Sequence, residues 1–350
     1  MVKRLVKRIK RKDEEAERLS SSRITNETVA EHREQILAGG RKFKYPIQYA
    51  RHRLLINSII VFFVALVVAI LFLWSQLYIV QNTGNLFYRV TQLAPLPVAS
   101  VDGYPVPYND YLMQYRSSIH WLQQKSRGFS TNSADSKRQE EHFKRQSLDQ
   151  AIENAYAQKI AKENNITVSD KDVDAFIDQT IKNSSNRNLS REQYEAVLSD
   201  SYGVSANEYR SIVKYALTKQ KASFFIDAKA KKQIDTAQSL IASGKTFEEV
   251  VVEYSDDPLA KTTKGDDTGF VAITNQDQGL AQAASKLQVG QTSGVIKGID
   301  GYYLVKLLET KPDQVRYAKI KVNLTQFDES LKTLKKDGKV KEYIGVEKDA

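Results

Sequence analysis

LLINSIIVFFVALVVAILFLWSQLYIV, from Leu54 to Val80, holds no charged residue and divides the chain in two. A helix of about 20 apolar residues crosses a bilayer. This run exceeds that length, so tilt or protrusion is expected. A helix buried in a large core would show a polar face at some turn. A cleavable signal peptide would carry a shorter apolar stretch near the N-terminus, followed by small residues. Here the run begins after residue 53 and ends in Gln81-Asn82-Thr83-Gly84. It reads as a permanent anchor.

Charge orients that anchor. Residues 1–53 hold 15 Lys and Arg against 7 Asp and Glu, and the rest of the chain holds 37 against 35. Positive charge beside a span stays cytoplasmic, so the N-terminus is expected inside and residues 81–350 outside. The basic balance thus belongs to a short tail, and no specific nucleic-acid partner is expected. The cluster Lys3, Arg4, Lys7, Arg8, Lys10, Arg11 and Lys12 reads as a solvated topology signal. Binding of anionic lipid headgroups or of ribosomal RNA stands as the alternative. Asn26 is expected to cap a short helix through Leu37, ended by Gly39-Gly40. The chain has no cysteine and four histidines, which excludes disulfides and thiolate sites. No metal and no cofactor is expected.

Beyond the span, Val98-Ala99-Ser100-Val101-Asp102-Gly103 reads as a short strand and a tight turn between prolines. Asn109 is expected to cap a helix with Tyr111, Leu112, Tyr115, Ile119 and Leu122 on one face. Ser126–Ser136 reads as a polar loop. A long amphipathic helix follows, with Leu148, Ile152, Ala155, Tyr156 and Ile160 inward. Ser169 opens another helix. Ser190 with Gln193 and Ser205 with Glu208 form capping boxes for two more, with Gly203 between them as a helix stop. The spacing predicts an all-helical domain of about five helices. After residue 228 the pattern becomes mixed. A helix from Ile234 stops at Gly244, a capping box at Thr246 and Glu249 opens the next, and strands are expected at Gly269–Ile273 and Tyr302–Glu309. The fold class is α+β. The expected domains are a tail (1–53), a single transmembrane helix (54–80), an all-helical domain (81–227), an α/β domain with a small antiparallel sheet (228–325), and a C-terminal helix and tail (326–350).

These residues resemble the SurA/PrsA-type foldases, extracytoplasmic chaperones that carry a parvulin domain. Val98–Gly103 is similar to that family's opening strand and turn, and the helices from Leu148 to Leu217 match its N-terminal chaperone domain in order and length. Gly244-Lys245-Thr246-Phe247-Glu248-Glu249-Val250, Glu253-Tyr254-Ser255-Asp256-Asp257-Pro258 and Lys264-Gly265-Asp266-Asp267-Thr268-Gly269-Phe270 resemble successive parvulin motifs. So do Leu287–Ser293 and Gly301–Lys306. The resemblance implies a membrane-anchored folding factor that binds unfolded or proline-containing segments of exported proteins. Parvulins rotate X–Pro bonds, whose barrier of about 18–20 kcal/mol reflects partial double-bond character. They need no covalent step, only a dry pocket and a few polar groups.

Carried over by position, the resemblance assigns Asp257 and Tyr303 as catalytic, and Gln276, Leu280, Phe270 and Lys319 as substrate-binding. Tyr303 stands where the family has a His on its last strand. Lys319 stands where the first strand carries another, in Val315–Val322, which resembles that opening strand although it follows the last one. Three readings of this segment stand open: completion of the sheet as in a circular permutation, a plain extra edge strand, or the stump of a second repeat. With both histidines replaced, three functions stay open as well: an active isomerase, a holdase chaperone that kept the fold, or an envelope scaffold.

Overall fold

The computed structural model describes residues 26–44, 46–125, 134–183, 189–263, 265 and 267–347. The basic cluster Lys3–Lys12, most of the expected loop at 126–136, and Lys264 and Asp266 lie outside the described residues. The chain forms two units, Met1–Ser75 and Gln76–Ala350.

In the first unit, α1 (Asn26–Lys44) runs straight through Gly39 and Gly40 instead of stopping there. Glycine weakens a helix by about 1 kcal/mol relative to alanine but does not forbid it. The next helix, α2 (Pro46–Trp74), continues as a wider turn over Ser75–Ile79. Among the described residues it supplies the one helix long and apolar enough to cross a membrane, His52–Ile79, with none of its apolar window buried.

The second unit opens with α3 (Asn85–Leu93). Strands β1 (Pro97–Val101) and β2 (Tyr104–Pro107) then form a hairpin. Its two turn residues, Asp102 and Gly103, both take positive φ, 46° and 80°, which matches the twist of a two-residue hairpin loop. Then come α4 (Tyr108–Lys125), α5 (Ala134–Glu163), α6 (Asp170–Asn183), α7 (Arg191–Tyr202) and α8 (Ala206–Ile226). Both serine capping boxes are present, and Gly203 ends α7 in the left-handed region. Asn109, expected as the cap of α4, lies inside the helix, which already includes Tyr108. Helix α3, nine residues long, is too short for its periodicity to stand out.

The chain crosses into the α/β domain at Asp227. One carboxylate oxygen caps α9 (Ala228–Ala242) through the Ala230 N–H at 2.9 Å. The other accepts the N–H groups of Thr325 and Gln326, at 2.8 and 3.1 Å, where the chain crosses back. Between these crossings lie α10 (Phe247–Tyr254), α11 (Pro258–Thr263), β3 (Phe270–Ala272), α12 (Leu280–Ala284), β4 (Ile296–Lys297), β5 (Gly301–Lys311) and β6 (Gln314–Asn323). The sheet runs β3-β6-β5-β4, antiparallel throughout. Thus β6 is an interior strand, paired with β5 from Gly301↔Asn323 to Lys311↔Gln314. Pro312 and Asp313 make the turn, with Asp313 at φ 59°.

The alternation of this hairpin sends two apolar sets to opposite faces. Tyr302, Leu304, Ala318, Ile320 and Val322 pack under α9 and α10. Tyr303, Val305, Leu307, Val315 and Tyr317 pack with Leu280, Ala281 and Ala284 of α12. Ser223–Ile226, which could have served as an opening strand, ends α8 instead, and its Phe224 ring meets Tyr302 edge-on at 4.9 Å.

After the sheet, α13 (Gln326–Lys336) returns to the helical domain, where Phe327 meets Tyr156 at 5.0 Å. Strand β7 (Val340–Glu342), absent from the sequence reading, then pairs with β1. The buried Arg145 of α5 clamps it through Glu342 at 2.9 Å and holds Asp149 at the same distance. So α13 and β7 return to pack against α5 and pair with β1.

Gly301 tests the central ladder. A Cβ there would sit 2.3 Å from the Val322 carbonyl oxygen, a backbone atom that cannot swing aside. Gly301→Ala should therefore lower the melting temperature of the α/β domain by several degrees in thermal unfolding, corresponding to about 1–3 kcal/mol of strain. Gly294→Ala, where φ is not left-handed and the nearest side chain lies 4.0 Å away, should leave that transition unchanged.

Candidate functional site

The site lies on the α12 face of the sheet, toward the Gly301 end of the hairpin. There Tyr303 pairs directly with Lys321, and Val305 with Lys319. The outer edge of β6 beyond β3 is covered by the preceding loop: the Asp256 N–H donates to the Lys321 carbonyl at 2.7 Å, and the Lys319 N–H donates to the Gly265 carbonyl at 2.9 Å. Ser255, fully buried, accepts the Lys321 N–H, while Asp256 accepts the Asn323 N–H at 2.8 Å. These bonds satisfy an edge that would otherwise be left open and bring Asp257 beside the two lysines.

Asp257 divides its carboxylate. One oxygen accepts the Leu259 N–H at 3.0 Å, capping α11 ahead of Pro258. The other faces the Lys319 ammonium at 3.8 Å. A proline at the first helical position with an aspartate before it is ordinary capping chemistry, so this residue serves the fold as well as the site.

Tyr303 is only 3% exposed, and its hydroxyl donates to Asp300 at 2.7 Å. Gln278 reaches the same pair, its amide donating to Asp300 at 3.3 Å and to the Tyr303 oxygen at 3.5 Å. Lys321 donates to the other Asp300 oxygen at 2.7 Å, its ammonium 5.9 Å from the Tyr303 ring centre. Burial, then the bond and charge of Asp300, hold the phenol ionisation far above its ordinary value. It therefore acts as a neutral hydrogen-bonding group, not as a base. Burial pushes the Asp300 carboxyl up, but bonds from Lys321, Tyr303 and Gln278 outweigh it and hold the group below its usual range. Gly298 backs the ring: a Cβ there would lie 2.6 Å from it. The Gly298 carbonyl accepts from Gln220 of α8 at 2.9 Å, so the helical domain braces this loop.

The structure thus gathers Asp257, Tyr303, Lys319 and Leu280, the last buried in the apolar cluster with Tyr303. It does not bring Phe270 there. That residue pairs with Arg316 at the opposite end of β6, on the other face, with the Lys311 ammonium 3.6 Å from its ring centre. Gln276 is exposed on the loop before α12, and the glutamine that reaches Tyr303 is Gln278. Gln278 takes φ 62° just before Gly279 at 85°; this left-handed pair turns the loop toward Asp300. Asp300, Lys321 and Gln278 escaped the sequence reading. Lys321 was the most accessible of them, two residues beyond Lys319 on an alternating strand and therefore on the same face.

A family model described as the SurA-like N-terminal domain matches residues 48–223, half of the chain. A second, the PPIC-type PPIASE domain, matches residues 217–309. This chain belongs to the SurA/PrsA-type foldases. Among relatives of this foldase family, the foldase protein PrsA of Bacillus subtilis is 34% identical over 82 residues, 23% of this chain and 27% of that protein. The chaperone SurA of Xanthomonas euvesicatoria is 33% identical over 85 residues, 24% and 18% of the two chains. The chain thus aligns with about a quarter or less of the length of these curated relatives. A solved foldase protein PrsA from Streptococcus pneumoniae covers 54% of this chain and 76% of its own at 20% identity, with a TM-score of 0.19, too low to bear on the fold.

In this chain the depressed Asp300 carboxyl contributes stability that is present above its unfolded pKa and lost as pH falls through its folded value. Asp300→Asn should therefore flatten the acid side of the α/β domain's stability profile, read by urea unfolding across pH. Tyr303→Phe should cost roughly 1 kcal/mol through the lost hydroxyl bond and leave that acid-side fall in place, because Lys321 still holds Asp300.

Proposed function

We propose that this foldase is anchored in the membrane by its apolar helix and acts outside the cytoplasm. There it binds unfolded or proline-containing segments of exported polypeptides, with slow or lost prolyl isomerisation. The observation that carries this reading is the commitment of Tyr303. The side chain at the family's histidine position is buried, and its hydroxyl is spent on Asp300. Rotation about an X–Pro bond is helped by a dry, shape-fitting recess. The face around Tyr303 instead carries the ammonium groups of Lys319 and Lys321 and the carboxylates of Asp257 and Asp300. Such a surface favours holding a polar, extended segment over accelerating its isomerisation.

The position of β6 supports an intact domain in this reading. The PPIC-type match begins within α8 and ends at Glu309, and the interior strand comes from residues beyond that end. A circular permutation accounts for this order, with Lys319 arriving where the family's first-strand histidine would stand.

Activity separates the readings. A proline-containing peptide assayed with the full chain should isomerise far more slowly than with an ordinary parvulin, while aggregation of an unfolded client is suppressed. If residual activity is measured, Asp257→Ala and Tyr303→Phe should each reduce it; an unchanged rate in both would show that catalysis lies elsewhere. Catalysis at the rate of an ordinary parvulin would favour a rebuilt active site instead, in which Lys319 and Lys321 supply the polar groups.

Topology has its own check. The basic flank of residues 1–53 supports an N-terminus inside. Protease added to intact cells should remove the region around Asp102 and spare the N-terminal tail, and the reverse pattern would overturn the orientation.

A further inference from the structure

The end of the apolar run is built into the helical domain. Leu77 is fully buried and its carbonyl accepts the Tyr108 hydroxyl at 2.6 Å, while Tyr78 donates to the Pro97 carbonyl at 2.8 Å. Gln81, at φ 53°, ends the helix, and the Asn82 N–H returns to the Gln76 carbonyl at 2.8 Å. Asn82 then accepts the Gly84 N–H at 2.9 Å, launching α3. These bonds order the turn from Gln81 to Gly84 within the second unit.

Helix α3 buries Phe87, Tyr88 and Thr91 against the domain, with the Tyr88 hydroxyl on Glu208. Its other side presents Leu86 and Leu93, 67% and 88% exposed, with the exposed Arg89 between them. Positions three and four apart share a helix face, so these three make one stripe. Ile79 and Val80, just before the turn, are exposed too, at 64% and 57%.

We infer that this stripe of α3 rests in the headgroup–acyl boundary of the membrane that the apolar helix crosses, its leucines inserted and its arginine among the lipid phosphates. The inference depends on that helix spanning a membrane. Chain continuity selects lipid as the occupant. Only Val80–Gly84 separate Ile79 from α3, and at no more than about 3.6 Å per residue they cannot carry the helix far from the bilayer surface. An interfacial helix buries its apolar face by about 5–10 Å at that boundary. Leucine suits the acyl side, and arginine keeps its stem in the apolar layer while its head reaches phosphate. The consequence is a second membrane attachment beside the span.

The absence of cysteine makes the test direct. Single variants Ile60→Cys, Leu93→Cys and Val197→Cys of the full chain, each carrying an environment-sensitive fluorophore, are reconstituted into phosphatidylcholine–phosphatidylglycerol vesicles with and without lipids bearing a quencher. All three side chains are exposed, so the fold should tolerate them. The quencher lipid should remove most emission at positions 60 and 93 and little at 197. Quenching at 60 without quenching at 93 overturns the inference and leaves the spanning helix intact. Loss of quenching at both overturns the membrane reading and the inference with it. Equal quenching at 93 and 197 would mean non-specific adsorption and would also overturn it. So would an unfolded client that shields position 93 from an aqueous quencher while lipid quenchers have no effect there, which would assign the stripe to clients.

Discussion

The antiparallel ladder between β5 and β6 is the constraint on which the α/β domain depends. It is the longest pairing in the domain, and each neighbouring strand is short: β3 meets β6 at three positions and β4 meets β5 at two. The two-residue period of the hairpin builds both cores at once, one under α9 and α10 and one with α12. A slip of one residue would exchange the faces and send Lys319 and Lys321 into the helix side. The close approach at Gly301 and the turn at Pro312-Asp313 fix the register from its two ends.

The second domain is inserted in the first, and Asp227 joins them. Its two oxygens take N–H groups from the outgoing and the returning segments, so both crossings are held by one buried side chain. The returning chain then closes the small sheet through β7, where Arg145 links Glu342 to Asp149 and Lys335 adds a further bond to Asp149 at 2.7 Å. Arg145 itself is buried, so removing its carboxylate partners would leave its charge poorly solvated, whereas the partly exposed carboxylates keep water. The N-terminal and C-terminal parts of the chain therefore stabilise one another across the inserted domain.

The same economy shapes the site. Asp257 caps a helix while facing Lys319, and Tyr303 packs in a core while bonding Asp300. Groups tied down by the fold are well positioned but have little freedom to engage a substrate amide. A buried, protonated phenol and a cluster of paired charges are suited to fixing loop geometry. Gln220 carries that geometry back to α8, so the loop beside the site is supported by the helical domain.

Much of this was legible in the sequence because it is local. The apolar run, the capping boxes at Ser190, Ser205 and Thr246, the strand at Tyr302–Glu309 and the turn at Pro312-Asp313 follow from spacing and backbone preference alone. What sequence could not supply was the set of partners brought from a distance. Phe270 resembles a motif residue, yet the pairing of β3 with Arg316 places it on the other face. Gln276 and Gln278 are alike in composition, and only the left-handed backbone at Gln278 decides which one reaches Tyr303. Asp300 becomes part of the site because β5 and β6 align it with Lys321. Likewise β7, three residues long, has no periodicity of its own and exists because β1 offers it an edge. Propensity and pattern act over a few residues, whereas pairing across a sheet and the closing of a chain on itself exist only once distant segments share one core.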